Sequence, residues 1–217
     1  ERDTISHGKV STPINELVDS ICAILSDLGK PNLHQLVNAT GVILHTNLGR
    51  APLSREALAA MAQVSQGYSN IEFEIESGKR GSRQTLIEPL LCRLTGAEAA
   101  LVVNNNASGV LLGLAALARR KEIVVSCGQS VEIGDSFRIP DVMRQSGAKL
   151  IEVGTTNCTY ITDYEQAITE RTTGLMRVHS SNFKVIGYTH EVAIQELGAL
   201  GRRRNIDVLD DLGSGCF

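Results

Sequence analysis

From Ala99 onward the sequence alternates between short apolar runs and longer amphipathic stretches, which leaves few architectures open to it. The runs Ala99–Val103, Glu122–Ser126, Leu150–Val153, Gly174–Val178 and Ile206–Leu209 read as strands buried on both faces. Between them, Ala107–Arg119, Ile139–Ser146, Asp163–Thr169 and Glu191–Arg204 read as helices. Strands that alternate with helices pair in parallel through right-handed crossovers, so the expected fold is α/β with a mainly parallel sheet and flanking helices. With 4% aromatics and no Trp, the core has to be built from Val, Ile, Leu and Ala.

Upstream, Thr12–Pro31 has the marks of a helix. Thr12 is its expected cap, Pro13 suits the first turn, and Gly29 and Pro31 end it. Residues 1–37 are taken as a leading helical linker and 38–217 as one large domain. Within the latter, Asn38–Arg50 reads as a short strand ending in a glycine loop. Pro52–Gln66 and Thr85–Thr95 read as helices, and Ser77–Arg83 as a basic glycine loop.

Charge and cysteine content exclude some functions. A formal net charge of −3 argues against broad, non-specific nucleic-acid binding. The five cysteines are dispersed, with no CxxC or Cys/His cluster to hold a metal. Without a secretory signal, an odd number of them reads as reduced thiols in the cytoplasm. The longest apolar run, Val110–Ala118, is too short to cross a membrane.

Chemistry concentrates where the strands end. "VVNNNASGVLLGL" is a strand, a polar turn and a helix. With Asn106 as cap, the amides of Ala107, Ser108 and Gly109 and the Ser108 hydroxyl form either a phosphate site or an ordinary capped helix start. "SCGQSVEIGDSF" and "VHSSNF" crowd polar groups at two further strand ends, where open α/β sheets place their ligands. His179 and Asn182 are the ligand candidates there. "VLDDLGSG" puts two carboxylates at a strand end, suited to pairing with a protonated ring nitrogen or to capping the next turn. Arg50, Lys79, Arg80 and Arg83 form a basic set suited to an anion.

Five motifs, "VNATGVILHTNLGRAPLS", "GKRGSR", "VVNNNASGVLLGL", "GQSVEIGDSFRIPDVM" and "VLDDLGSG", occur in an order that resembles the bacterial L-seryl-tRNA(Sec) selenium transferases, or selenocysteine synthases. The resemblance implies the large domain of a fold-type-I enzyme dependent on pyridoxal 5'-phosphate. It implies conversion of seryl-tRNA(Sec) to selenocysteyl-tRNA(Sec) with selenophosphate through an aminoacrylate, in a homo-oligomer, a dimer or a decamer. Carried over by position, Asn106, Ala107, Ser108 and Gly109 surround the cofactor phosphate, and Gln129 and Glu132 lie near the ring. Asn182 is near the ring oxygen or the substrate. Asp210, on the same strand face as Val208, pairs with the pyridine nitrogen, and Asp211 is the fallback. Arg50, counted with Asp210 and Asn182 among the catalytic residues, joins Arg80 and Arg83 in meeting anions: cofactor phosphate from a neighbouring subunit, selenophosphate or the tRNA end.

The resemblance also implies departures. Cys127 stands where an arginine is expected. No lysine follows the strand-end aspartates, where the family's Schiff-base lysine belongs, so the sequence reads as an incomplete piece, inactive by itself. The competing readings are a related lyase or aminotransferase-like enzyme acting on a small amino acid or amino sugar, and a non-catalytic remnant that binds partners.

Overall fold

The computed structural model describes residues 12–130, 132–133, 137–180 and 183–213. It divides into two compact units, 1–58 and 59–217.

In the first unit, helix α1 spans Ile14–Leu28. Its N-cap is Pro13, one residue past the expected Thr12. The amides of Gly29 and Lys30 close its other end on the carbonyls of Leu25 and Asp27. No strand forms at 38–50: Asn38 bonds within its own loop to Thr40 and Val42, and a 3-10 turn, Thr46–Leu48, follows. Val42 and Ile43 are exposed and have no neighbouring strand, so their apolar pattern finds no ladder to join. Helix α2, Arg55–Ser65, crosses the boundary between the units.

The second unit begins with a hairpin of β1, Phe73–Glu74, and β2, Lys79–Arg80. A 3-10 turn (Arg83–Leu86) and α3 (Glu88–Thr95) follow. The run Ala99–Val103, expected as a strand, is not one. The side-chain amide of Gln84 bonds both the N–H and the C=O of Val102, standing in for a neighbouring strand's peptide group.

From there the expected alternation holds closely. Helix α4 spans Asn106–Leu117 and β3 Glu122–Ser126. A short hairpin, β4 (Glu132–Ile133) and β5 (Phe137–Arg138), leads into α5, Ile139–Gln145. Then come β6 (Lys149–Val153), α6 (Ile161–Ala167), β7 (Thr172–Val178), α7 (Ile194–Arg204) and β8 (Asp207–Asp211). Strands β6-β3-β7-β8 form one parallel sheet in that order.

Strand periodicity divides the core. Ile123, Val125, Met176 and Val178 meet Leu114 and Ala118 at the end of α4 and Ile139 and Met143 of α5. Val124 and Leu175 meet Tyr164 of α6 and Leu197 and Leu200 of α7. The sheet is therefore sandwiched between helices, with the C-terminal ends of its strands at one rim. Gly174 lets β7 approach its neighbours, since a Cβ there would lie 2.6 Å from Ile123 Cδ1. Among the described residues no helix is long and apolar enough to cross a membrane.

The opposite rim holds a structural charge. Glu122, 5% exposed, opens β3 and accepts from Thr169 Oγ1 at 2.7 Å and Lys149 Nζ at 3.0 Å. The Thr169 bond first, then that of Lys149, holds its carboxyl below the usual 4.5. A depressed carboxyl stabilises the fold above the unfolded-state value and loses that contribution as pH falls through its folded value. Urea midpoints are therefore expected to drop below about pH 4.5, the ordinary glutamate range. Glu122→Gln should flatten that drop, and an unchanged pH profile in the variant would refute the assignment.

Candidate active site

The sheet's C-terminal rim gathers the polar strand ends. Helix α4 starts there, capped by Asn105: its Oδ1 accepts from Ser108 N at 2.9 Å. The cap is thus one residue earlier than the sequence reading had it, and Asn106 becomes the first helical residue. Its Nδ2 donates to Asp211 Oδ1 at 2.7 Å across 105 residues of sequence. The Gly109 amide bonds back to the Asn105 carbonyl, so it belongs to the helix ladder and not to the open N-terminus. Ala107 and Ser108 line an open cavity of about 400 Å³ with Asn105, Arg138 and Asp141 among its other walls. First-turn amides have no partner within a helix and carry the positive end of its dipole.

The two strand-end aspartates separate by face. Asp210 lies on the Val208 side, the α6 and α7 side, where Arg177 grips it with Nε and Nη2, both at 2.7 Å. Asp211 lies on the Leu209 side, which is the side of α4. It is 8% exposed, and its Oδ1 also accepts from Gly213 N at 2.9 Å. Its carbonyl accepts from His179 N at 2.9 Å, tying the ends of β7 and β8 together. Oδ2 of Asp211 has no bond among the described residues. The face that Asp210 shares with Val208 points its side chain away from α4.

The other sequence candidates lie as follows. Gln129 is buried in a 3-10 turn, Cys127–Gln129, after β3; its Oε1 accepts from Val178 N at 3.0 Å, leaving Nε2 as the open end. Exposed Glu132 accepts from Arg138 Nε at 2.7 Å across the β4–β5 pair. Arg80 and Arg83 both bind the Glu72 carboxylate. Arg50, in the first unit, has a left-handed backbone, φ 62°, with its amide bonded to the His45 carbonyl. Asn182 lies outside the described residues. No cluster of metal-ligating side chains occurs among the described residues.

Sequence reasoning missed Arg177, Glu72 and the Asn105 cap. A lone arginine inside the apolar run "TTGLMRV", on a strand neighbouring two adjacent aspartates, was the available signal for the first. Nothing comparable marked Glu72.

A family model described as "SelA: L-seryl-tRNA selenium transferase" matches residues 36–217. The chain belongs to this family. Among curated SelA relatives, the L-seryl-tRNA(Sec) selenium transferase of Desulfotalea psychrophila is 52% identical over 99% of this chain and 47% of its own length. That of Geobacter metallireducens is 59% identical over 86% of this chain and 40% of its own. The chain thus spans under half the length of these SelA relatives. Of solved structures, a D-glucosaminate-6-phosphate ammonia-lyase superposes with a TM-score of 0.64 at 22% identity, over 86% of this chain and 50% of that one. The fold is that of the large domain of fold-type-I pyridoxal-phosphate enzymes.

Proposed function

We propose that these SelA residues hold pyridoxal phosphate in an enzyme that converts seryl-tRNA(Sec) to selenocysteyl-tRNA(Sec), with selenophosphate as the selenium donor. The observation that carries this reading is the Asp211–Asn106 bond at the start of α4. It brings together the two things the cofactor requires, a carboxylate for a ring nitrogen and a helix N-terminus for a phosphate. The donor set fits the group: Asp211 keeps Oδ2 open, and Ala107 and Ser108 face the cavity at the helix N-terminus.

When bound, the cofactor supplies an electron sink for loss of the substrate's Cα proton and β-hydroxyl. The side chains of this chain do the rest. Asp211, not Asp210, holds the proton on the pyridine nitrogen. Asn106 fixes the carboxylate by occupying Oδ1. The Ala107 amide and the Ser108 hydroxyl hold the phosphate, while the Ser108 amide stays on the Asn105 cap. Gln129 offers Nε2 toward the ring, and Glu132 lines the ring's surroundings with Arg138. Arg80, Arg83 and Arg50 hold anions, whether phosphate, selenophosphate or the tRNA end, in a homo-oligomer whose subunits share sites. Asn182 remains the candidate substrate contact.

The test supplies a protein of full SelA length that carries these residues with pyridoxal phosphate, labelled selenophosphate and seryl-tRNA(Sec). Label is expected in the aminoacyl-tRNA. Turnover of a free amino acid or an amino-sugar phosphate, with no label in tRNA, would replace this reading with the lyase one.

A further inference from the structure

The β1–β2 hairpin carries a triad of one carboxylate and two guanidiniums. Arg83 donates to Glu72 Oε1 through Nε at 3.0 Å and also through Nη2, while Arg80 Nη2 donates to Oε2 at 3.0 Å. One carboxylate therefore takes two guanidiniums, one on each oxygen. The arginine side chains are 83% and 64% exposed and that of Glu72 is 33% exposed, so the cations face outward over a recessed anion. The two arginine contacts, led by Arg83, hold the Glu72 carboxyl below its usual range, so it stays ionised at neutral pH.

The backbone builds the triad. Phe73 pairs with Arg80 and Glu74 with Lys79, and the Gly81 amide bonds the Glu72 carbonyl at 3.0 Å. Gly78, at φ 66°, supplies the left-handed turn. The next residue after Arg83, Gln84, clamps both polar groups of Val102, four residues before α4 begins. The triad is thus tethered to the segment that leads into the proposed phosphate-binding turn.

We infer that Glu72 is the positioning residue of a two-arginine oxyanion site, holding Arg80 and Arg83 with their unused N–H groups outward for a phosphate-type dianion. This rests on the reading of those arginines as anion contacts. Two exposed arginines otherwise sample many rotamers, and fixing both on ligand binding costs affinity; a shared carboxylate meets that cost beforehand. The triad keeps a net charge of +1. Arg83's second terminal nitrogen and Arg80's Nε and second terminal nitrogen carry no bond among the described residues.

The sign of the effect makes the idea testable. Simple Coulomb attraction says that removing Glu72 tightens anion binding. Positioning says that it weakens it. Titration calorimetry of the full chain with inorganic phosphate is expected to show Glu72→Ala weakened about 5- to 100-fold, the range set by the freedom of two long side chains. Glu72→Gln, which keeps an acceptor for Arg83, should fall between. Circular dichroism checks that each variant is folded, and Gln carries the test if Ala does not fold. Unchanged or tighter binding in the Glu72 variants, with Arg80→Ala/Arg83→Ala weakened, overturns the role of Glu72 alone. Unchanged binding in the double arginine variant overturns the anion reading and this inference with it. Of cofactor affinity, selenophosphate KM and seryl-tRNA KM, the one that moves with Glu72→Ala names the source of the anion.

Discussion

Asp211→Asn in the full chain is expected to lower the proton affinity of the cofactor's pyridine nitrogen, read as its protonation constant, by about 10- to 1000-fold, the range over which an adjacent opposite charge shifts a pKa. Turnover should fall with it, because the unprotonated ring is a poorer electron sink. Asparagine is nearly the same shape and still accepts from Asn106 and Gly213, so the loop stays in place and the charge alone is removed. The nitrogen-15 shift of labelled cofactor reports the ring directly, apart from activity. Asp210→Asn is the comparison. Its carboxylate is neutralised by a two-bond contact with Arg177 on the other face of the sheet, so the ring signal should hold while stability falls. A ring shift in Asp210→Asn and none in Asp211→Asn would restore the ordering that the sequence suggested.

The facing of the two aspartates on β8 shows what the sequence could and could not carry. Strand β3 and the helices on either side of the sheet were legible because burial on both faces demands unbroken apolar runs such as "EIVV". Such runs fix where a strand lies but not which face of it meets which helix. Val208 and Leu209 are equally apolar, and only the packing shows Val208 toward α7 and Leu209 toward α4. The choice between Asp210 and Asp211 is the same question one step further along β8. The runs at 42–44 and 99–103 misled for a related reason: each is apolar enough for a strand, but a strand also needs a partner with free peptide groups. Val102 found a glutamine side chain in place of one. The cap of α4 was misread by one residue because three successive asparagines are locally equivalent; the long-range bond from Asn106 to Asp211 separates them.

Gly154→Ala is expected to destabilise the fold by about 2–5 kcal/mol, for two separable reasons. Gly154 follows β6 with φ 72°, where an L-residue costs about 1–2 kcal/mol. A Cβ there would also lie 2.8 Å from both Cβ and Cγ2 of Thr159. Thr159 has nowhere to go: it is 2% exposed, its Oγ1 shares a hydrogen bond with Ser126 Oγ at 2.7 Å, and its amide bonds the His190 carbonyl at 2.9 Å. Crowding a packed site of this kind adds about 1–3 kcal/mol. Gly147→Ala isolates the first cost, since Gly147 has φ 82° but its nearest neighbour would be Arg119 Cγ at 3.4 Å, the middle of a long surface side chain. Urea unfolding should show the Gly154 variant with the lower midpoint and an unchanged m-value. Equal midpoints would mean that Thr159 yields. If it holds, the strain passes to Ser126, the last residue of β3, and from there to the turn that carries Gln129. Gln129 Oε1 would then separate from Val178 N, so a methyl group at the end of one strand would loosen the C-terminal ends of the next two.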